Sequence, residues 1–345
     1  MTDQAWETLS NQAVAAAGVV YFLSLLSYLV QWASLRNVPA ARTTSPKVAV
    51  GVGLDQREIV GRAPARDERG VETPDGARSQ RADMTGRLGL ILLGLACALH
   101  FVSLVGRGMA ADPNRVPWGN MYEFTVSGTF VVALIFLVGR RRLGLDWAGP
   151  LVSAIVLTLL MIAVIWLYDQ VAPLTEALNS YWLVIHVVSA VIATGAFTLG
   201  GLCSVLYLVK ERKKGVTTGY LSRVPEPAAL DRAAYRLHAF AFPVWTFAVL
   251  ITGPIWAHQA WSSYWNWDPK EVWAFITWVV YAAYLHARAT AGWRGRKAAY
   301  LALLGMATLW FNFIGINYFS TTSQHSYASG APAVSIPIST PADTR

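Results

Sequence analysis

Apolar residues in this chain gather into long runs, and polar residues collect between them. Eight runs approach the length needed to cross a bilayer as a helix, about 20 residues. They are Val14–Ala33, Leu88–Val105, Met121–Val138, Trp147–Leu167, Trp182–Val209, Phe240–Trp256, Val272–His286 and Ala298–Phe319. The pattern predicts an all-α integral membrane protein of about eight transmembrane helices. The longest polar interruption, which includes "GRAPARDERGVETPDGARSQRAD", is rich in Arg, Pro and Gly and poor in large apolar side chains. Such a composition cannot bury enough surface to order itself. The expected plan is therefore a first span with an external N-terminus (1–35), a flexible cytoplasmic linker (36–87), one membrane domain (88–328) and an external tail (329–345). No internal repeat is visible. The first apolar run lacks a basic leader and a small-residue cleavage site, so no cleaved signal peptide is expected.

Composition agrees with the pattern. Hydrophobic residues make up 54% of the 345 and charged residues 14%, against about 25% charged in soluble domains. The basic residues alternate: 24 of the 28 Lys and Arg fall in the segment after the first span, at Arg140–Arg142, between Lys210 and Arg236, and between Arg288 and Lys297. Only Arg107, Arg115, Lys270 and Arg345 belong to the other side. The positive-inside rule then places both termini outside the cytoplasm, in a multi-pass plasma-membrane protein. The net charge of +8 reports this topology and gives no reason to expect nucleic acid. Cys97 and Cys203 each lie within an apolar run, with no C-x-x-C or C-x-x-C-H. Neither thiol–disulfide chemistry nor covalent heme on this chain itself is expected.

Candidate chemistry concentrates in "WAHQAWSSYWNWDPKEVW", residues 256–273, which holds Trp256, Trp261, Trp265, Trp267 and Trp273. An interfacial aromatic belt explains one or two tryptophans per helix end, not four in one external connection. A flat aromatic surface suits a large planar ligand. Within "WDPKE", Asp268 has the chemistry of an N-cap, Pro269 of the first helical residue and Glu271 of the capping-box partner. In "VPWGNMYEF" (116–124), Asn120 reads as a second cap, with Glu123 in the first turn. Of the six histidines, His186 lies near the outer end of the fifth span and His325 just beyond the outer end of the eighth, so both reach the tryptophan side. His286 sits toward the cytoplasm, His100 is mid-span, His238 reads as an interfacial cytoplasmic residue and His258 as a loop residue. A lone membrane histidine is more often hydrogen-bonded packing than a ligand.

These segments resemble the tryptophan-rich WWD signature of the heme-handling proteins of cytochrome c biogenesis, in the system II branch labelled CcsA, ResC or, in some bacteria, CcsB. The resemblance rests on W-x-W-D-P-K-E-x-W with "TWVVYAAYLHAR", on "VPWGNMYEF", on "YWLVIHVVSAVIATGAF" (181–197) and on "GINYFSTTSQHSYA" (315–328). Ser262 departs from the family, which has glycine after the tryptophan. The resemblance implies that heme b is exported, bound by Trp256, Trp261, Trp265, Trp267, Asp268 and Trp118, and attached to an apocytochrome c bearing C-x-x-C-H. It implies His186 and His325 as external iron ligands and His286 as a ligand of an inner heme site. It further implies a ResB-like membrane partner, with this chain as the heme-handling subunit of a cytochrome c synthase, or heme lyase. Two alternatives stay open: a heme exporter without ligation activity, and a membrane b-type electron-transfer cytochrome. Against the second, no span contains two histidines.

Overall fold

The computed structural model describes residues 1–35, 74–171, 180–213, 220–320 and 323. Most of the predicted linker, the predicted tail and His325 lie outside the described residues. The described residues form helices α1 (Asp3–Leu35), α2 (Pro74–Met109), α3 (Met121–Leu143), α4 (Gly149–Trp166), α5 (Tyr181–Arg212), the single turn α6 (Tyr220–Arg223), α7 (Pro227–Thr246), α8 (Gly253–Trp261), α9 (Pro269–Ala289), α10 (Arg296–Trp310) and the short α11 (Ile316–Phe319). Two π turns, Phe247–Thr252 and Phe311–Gly315, join α7 to α8 and α10 to α11.

Among the described residues, seven stretches are long and apolar enough to cross a membrane: α1, α2 from Gln80, α3, α4 with the turn before it, α5, the α7–α8 rod Pro227–Trp261 and the α10–α11 rod Arg296–Phe319. The helices outrun the predicted apolar cores because polar flanks continue the backbone hydrogen-bond ladder, which hydrocarbon requires to be complete. The remaining predicted span, Val272–His286, is helical within α9. It falls short of the other seven in apolarity, and its inward face carries polar atoms: Thr277 Oγ1 donates to Thr308 Oγ1 of α10 at 3.1 Å, and Lys270 Nζ donates to Asn317 Oδ1 at 2.9 Å.

Pairing is antiparallel between α1 and α2. Ser10 Oγ donates to the Ser103 carbonyl at 2.8 Å near one end, and Ser24 Oγ to the Gly89 carbonyl at 2.7 Å near the other. Small side chains let these helices approach closely, as membrane interfaces demand where no hydrophobic effect drives association. One core joins α1–α4 around Tyr21, Tyr28, Phe136 and Leu160. A second joins α5, α7, α9 and α10 around Phe197, Trp245 and Tyr281. A third, smaller cluster caps one end, with Trp256 packed among Leu183, Val187 and Val191 and against Trp118, Phe124 and Trp261.

The two ends of the bundle differ in chemistry. One carries the basic helix termini, with ion pairs Arg140–Asp146, Arg288–Asp231 at 2.6 Å and Arg296–Glu211 at 2.8 Å. The other carries the aromatic loops and one buried charge cluster, Arg107–Glu123–Arg115.

Candidate functional site

At the aromatic end a chamber opens between the two large cores. It holds, mouth included, about 1700 Å³ free of protein atoms and is walled by α3, α4, α5, α8, α9 and α10. Its outer rim is mixed, with Trp118, Asn120, Tyr264, Trp265, Lys270 and Asn317. Its depth is mostly apolar, reaching Leu159, Val191 and Trp245. An amphipathic ligand with a large flat apolar body matches that gradient.

His186 stands on the wall of this chamber. Its Nδ1 lies 2.8 Å from the Ala248 carbonyl. A carbonyl only accepts, so Nδ1 carries the proton and the lone pair resides on Nε2, the tautomer a metal-ligating imidazole needs. The carbonyl is presented by the π turn. A regular turn would have Ala248 O accept from Thr252 N; here it accepts instead from Gly253 N, five residues on, and from Thr252 Oγ1 at 3.1 Å. Inserted π turns are frequent at functional sites. Gly253 is needed beside the ring, because a Cβ there would sit 3.2 Å from His186 Cε1 and Nδ1. Trp256 lies parallel to the imidazole, with centroids 5.9 Å apart and planes 15° apart, and Trp261 meets Trp256 edge-on at 4.8 Å.

The "WDPKE" segment folds as its residues dictate. Asp268 caps α9 through a hydrogen bond from Lys270 N at 3.1 Å, Pro269 opens the helix, and Glu271 Oε2 returns to Asp268 N at 3.1 Å, completing the capping box. The same Glu271 oxygen accepts from Asn266 N at 2.9 Å. Ser323 Oγ donates to Asp268 Oδ2 at 2.7 Å, which ties the chain following α11 to the tryptophan-rich segment.

The six predicted cofactor-binding residues occupy different positions. Trp118, Trp256 and Trp265 line the chamber. Trp261 backs Trp256, and Asp268 is buried at the cap. Trp267 points outward, 72% exposed, with Trp265 edge-on at 6.0 Å. Two backbone positions in this segment have positive φ: Ser262 (56°), which ends α8, and Trp267 (56°). The left-handed conformation at Ser262 is one that glycine adopts without the strain a side chain brings.

Glu123, in the first turn of α3, anchors the rim from below. Asn120 Oδ1 caps the helix by accepting from Glu123 N at 2.9 Å. The buried carboxylate accepts from Arg107 Nε at 2.9 Å, Arg115 Nη1 at 2.6 Å and Gly119 N at 2.7 Å. Arg107 also reaches the Asp169 carbonyl and lies over the Tyr122 ring at 5.1 Å. The loop bearing Trp118 is thus fastened by buried charges, a role sequence reading did not assign to Arg107 and Arg115. The signal was present: two isolated arginines on an otherwise base-poor side precede a glutamate at the start of α3.

The other histidines disperse. His286 is exposed near the far end of α9, at the basic end of the bundle. His258 is helical, not in a loop, and its ring stacks on Tyr264 at 4.2 Å. His238 is fully buried rather than interfacial, enclosed by Tyr281 and Tyr284 with ring centroids 5.2 and 5.0 Å away. His100 is buried between Tyr21 and Phe130.

Polar atoms of the chamber wall support a ligand of mixed character. Trp118 Nε1, Trp265 Nε1, Thr198 Oγ1 and Asn312 Oδ1 are buried without a hydrogen-bond partner among the described residues. Native proteins rarely leave such groups unsatisfied. A planar macrocycle carrying a ligand-accepting metal at its centre and acceptor groups at its edge fits an imidazole wall, indole plates and indole N–H donors together.

Fold and site thus define an all-α membrane protein built around an aromatic and histidine-lined chamber. The cytochrome c assembly protein family matches residues 118–323, from Trp118 to the Ser323 tether. The chain is 34% identical over 253 residues to the cytochrome c biogenesis protein CcsA of Guillardia theta, covering 68% of this chain and 83% of that one. It is 33% identical over 257 residues to CcsA of Synechococcus elongatus, covering 61% and 78%. Among solved structures, the cytochrome c heme lyase CcmF superposes with a TM-score of 0.57 at 14% identity, over 90% of this chain and 46% of that one, a likeness of fold. The chain belongs to the cytochrome c assembly family, in the CcsA group of system II cytochrome c biogenesis proteins.

Proposed function

We propose that this protein holds heme b in the aromatic chamber and presents it for covalent attachment to an apocytochrome c, working with a ResB-like membrane partner in a cytochrome c synthase. The observation that carries the reading is His186: its Nδ1–H is committed to the Ala248 carbonyl while the ring stands on the chamber wall beside Trp256. In this reading His186 supplies one axial nitrogen and His325 the other. Trp256, Trp265 and Trp118 contact the ring, Trp261 and Asp268 hold the segment in place, and Trp267 faces the incoming chain. Heme supplies the vinyl groups to which the cysteine thiols of C-x-x-C-H add. Residues of this chain contribute orientation, exclusion of water from the apolar depth, and an imidazole whose basicity is raised by its hydrogen bond. His286 is assigned to a second, inner heme site completed by the partner.

Orientation follows the charge pattern, with the aromatic end and both termini outside the cytoplasm of the plasma membrane. A cysteine at Ser263 should react with an impermeant thiol reagent from outside, and one at Ser79 should not; the opposite labelling reverses the topology. The functional test is reconstitution of the chain and its partner with apocytochrome c, scoring covalent separately from bound heme. Bound heme with no covalent product in the complete complex would leave an exporter and remove the synthase.

A further inference from the structure

At the basic end of the bundle, α1, α2 and α3 enclose a second cavity, about 710 Å³ free of protein atoms with its mouth included. Its floor is apolar, with Leu90 and Phe136, and its rim carries Asp83, Arg87, Arg140 and Asp146. Arg140 and Asp146 are paired with each other. Asp83 and Arg87 stand one turn apart on α2, a spacing at which opposite charges ordinarily meet, yet neither makes an ion pair with the other or with any described residue. The rim therefore offers one unpaired charge of each sign. The wall behind it is built on a close helix approach: a Cβ at Gly86 of α2 would collide with the Gln31 amide of α1. Beyond the rim the same face of α2 turns to lipid. Ile91 and Leu95, one and two turns past Arg87, are exposed. Gly94, one turn past Leu90, leaves a gap in which a Cβ would meet nothing within 4 Å. A polar pocket at the bundle end thus continues into an open apolar groove along the bilayer.

A pocket with one free guanidinium and one free carboxylate above an apolar groove asks for an amphipathic zwitterion. We propose that it seats the headgroup of a diacyl phospholipid of the phosphoethanolamine class, with the phosphate on Arg87, the ammonium on Asp83 and an acyl chain along Ile91 and Leu95. A guanidinium holds a phosphate through its fork of N–H donors, and an ammonium brings three donors to a carboxylate. A purely anionic headgroup would set its charge against Asp83 with no counter-charge of its own. A choline headgroup would bring the positive charge but no N–H to donate. Pockets between membrane helices at the basic, cytoplasmic side are where lipid headgroups are recognised by charge. The site lies at the opposite end of the bundle from the aromatic chamber and does not depend on the heme reading.

The test offers the delipidated full chain in detergent an equimolar mixture of dioleoyl phosphatidylethanolamine, phosphatidylcholine and phosphatidylglycerol, and counts bound lipid by native mass spectrometry. Phosphatidylethanolamine should be retained about threefold or more over each of the others in the wild type, the range open to a solvent-facing ion pair. Asp83→Asn should remove that preference, and Arg87→Gln should lower the retention of all three lipids. Both side chains are exposed, so both variants should keep the wild-type melting temperature. Phosphatidylglycerol or phosphatidylcholine retained as well as phosphatidylethanolamine by the wild type, or an undiminished preference in Asp83→Asn, overturns the assignment. Glycerophosphoethanolamine, which has the headgroup without the chains, should fail to displace the lipid at equal concentration. Displacement would make the occupant a soluble phosphate ester and overturn the lipid. The wild-type comparison needs no variant to fold.

Discussion

Two histidines on one pair of helices have opposite fates. The α5 and α7–α8 rods run antiparallel, and twice along their contact an imidazole from one lies against a glycine of the other: His186 against Gly253, and His238 against Gly200. Both rings donate Nδ1–H to a backbone carbonyl, His186 to Ala248 and His238 to Ala234. The acceptors differ. Ala234 precedes His238 by one turn of the same helix, so that bond only ties the ring to its own backbone. Ala248 belongs to the opposite rod and is turned toward His186 by the π turn. One imidazole is thereby held at a chamber, and the other is sealed by Phe197, Tyr281 and Tyr284. Residue type does not decide the role; the carbonyl that orients the ring and the wall on which the ring stands do.

The comparison breaks most visibly at the rings themselves. His186→Ala should abolish cytochrome c maturation, with bound heme partly restored by added imidazole, whereas His238→Leu should leave heme content within about twofold, since the Ala234 carbonyl that loses the ring still accepts within the backbone ladder of its own helix. Pulldown of heme and covalent cytochrome staining read both. A heme spectrum lost in His238→Leu and kept in His186→Ala would invert the assignment.

Next in size is the rim anchor. Glu123→Ala leaves two buried arginines without their shared carboxylate, a change that costs about 3–5 kcal/mol where one partner of a buried pair is removed. Thermal unfolding in detergent should fall steeply, with heme content lost in proportion to folded protein.

The paired glycines should then separate. A Cβ at Gly200 would lie 2.5 Å from His238 Cε1 in a sealed core, so Gly200→Ala is expected to lower stability by about 1–3 kcal/mol. At Gly253 the contact is 3.2 Å and the His186 ring borders the chamber. Gly253→Ala should therefore shift the Soret band and weaken heme binding more than it lowers melting temperature. Equal effects on both measurements in both variants would show that the two niches are alike.

The smallest expected effect is a gain. Ser262 takes φ 56° at the end of α8, a conformation that costs a side-chain-bearing residue about 1 kcal/mol relative to glycine. Ser262→Gly should raise the melting temperature slightly and leave heme binding unchanged.

Much of this was readable from residue order. Asp268, Pro269 and Glu271 form the predicted capping box, Asn120 caps α3 as expected, and the span boundaries agree within flanks that stay helical. These features are local: a side chain satisfies an amide two or three residues away, and apolar runs of bilayer length have no other stable conformation. Less was readable at the site. Trp256, Trp265 and Trp267 look equivalent in sequence, yet the first is buried beside His186, the second lines the chamber and the third is exposed. Positive φ at Ser262 and Trp267 turns neighbouring residues to different sides, and no periodicity foretells it.

What the sequence by itself determined, then, was the helical membrane fold, the asymmetry of its two ends and the capped starts of its helices, because each follows from hydrophobicity or from contacts within one turn. Only the tertiary structure decided which histidine meets a chamber, which carbonyl orients it and which lysine shares that wall with Asn317. Those outcomes depend on pairs such as His186 with Ala248, 62 residues apart, and Lys270 with Asn317, 47 residues apart. Their meeting is set by how whole helices pack, which no local pattern of side chains encodes.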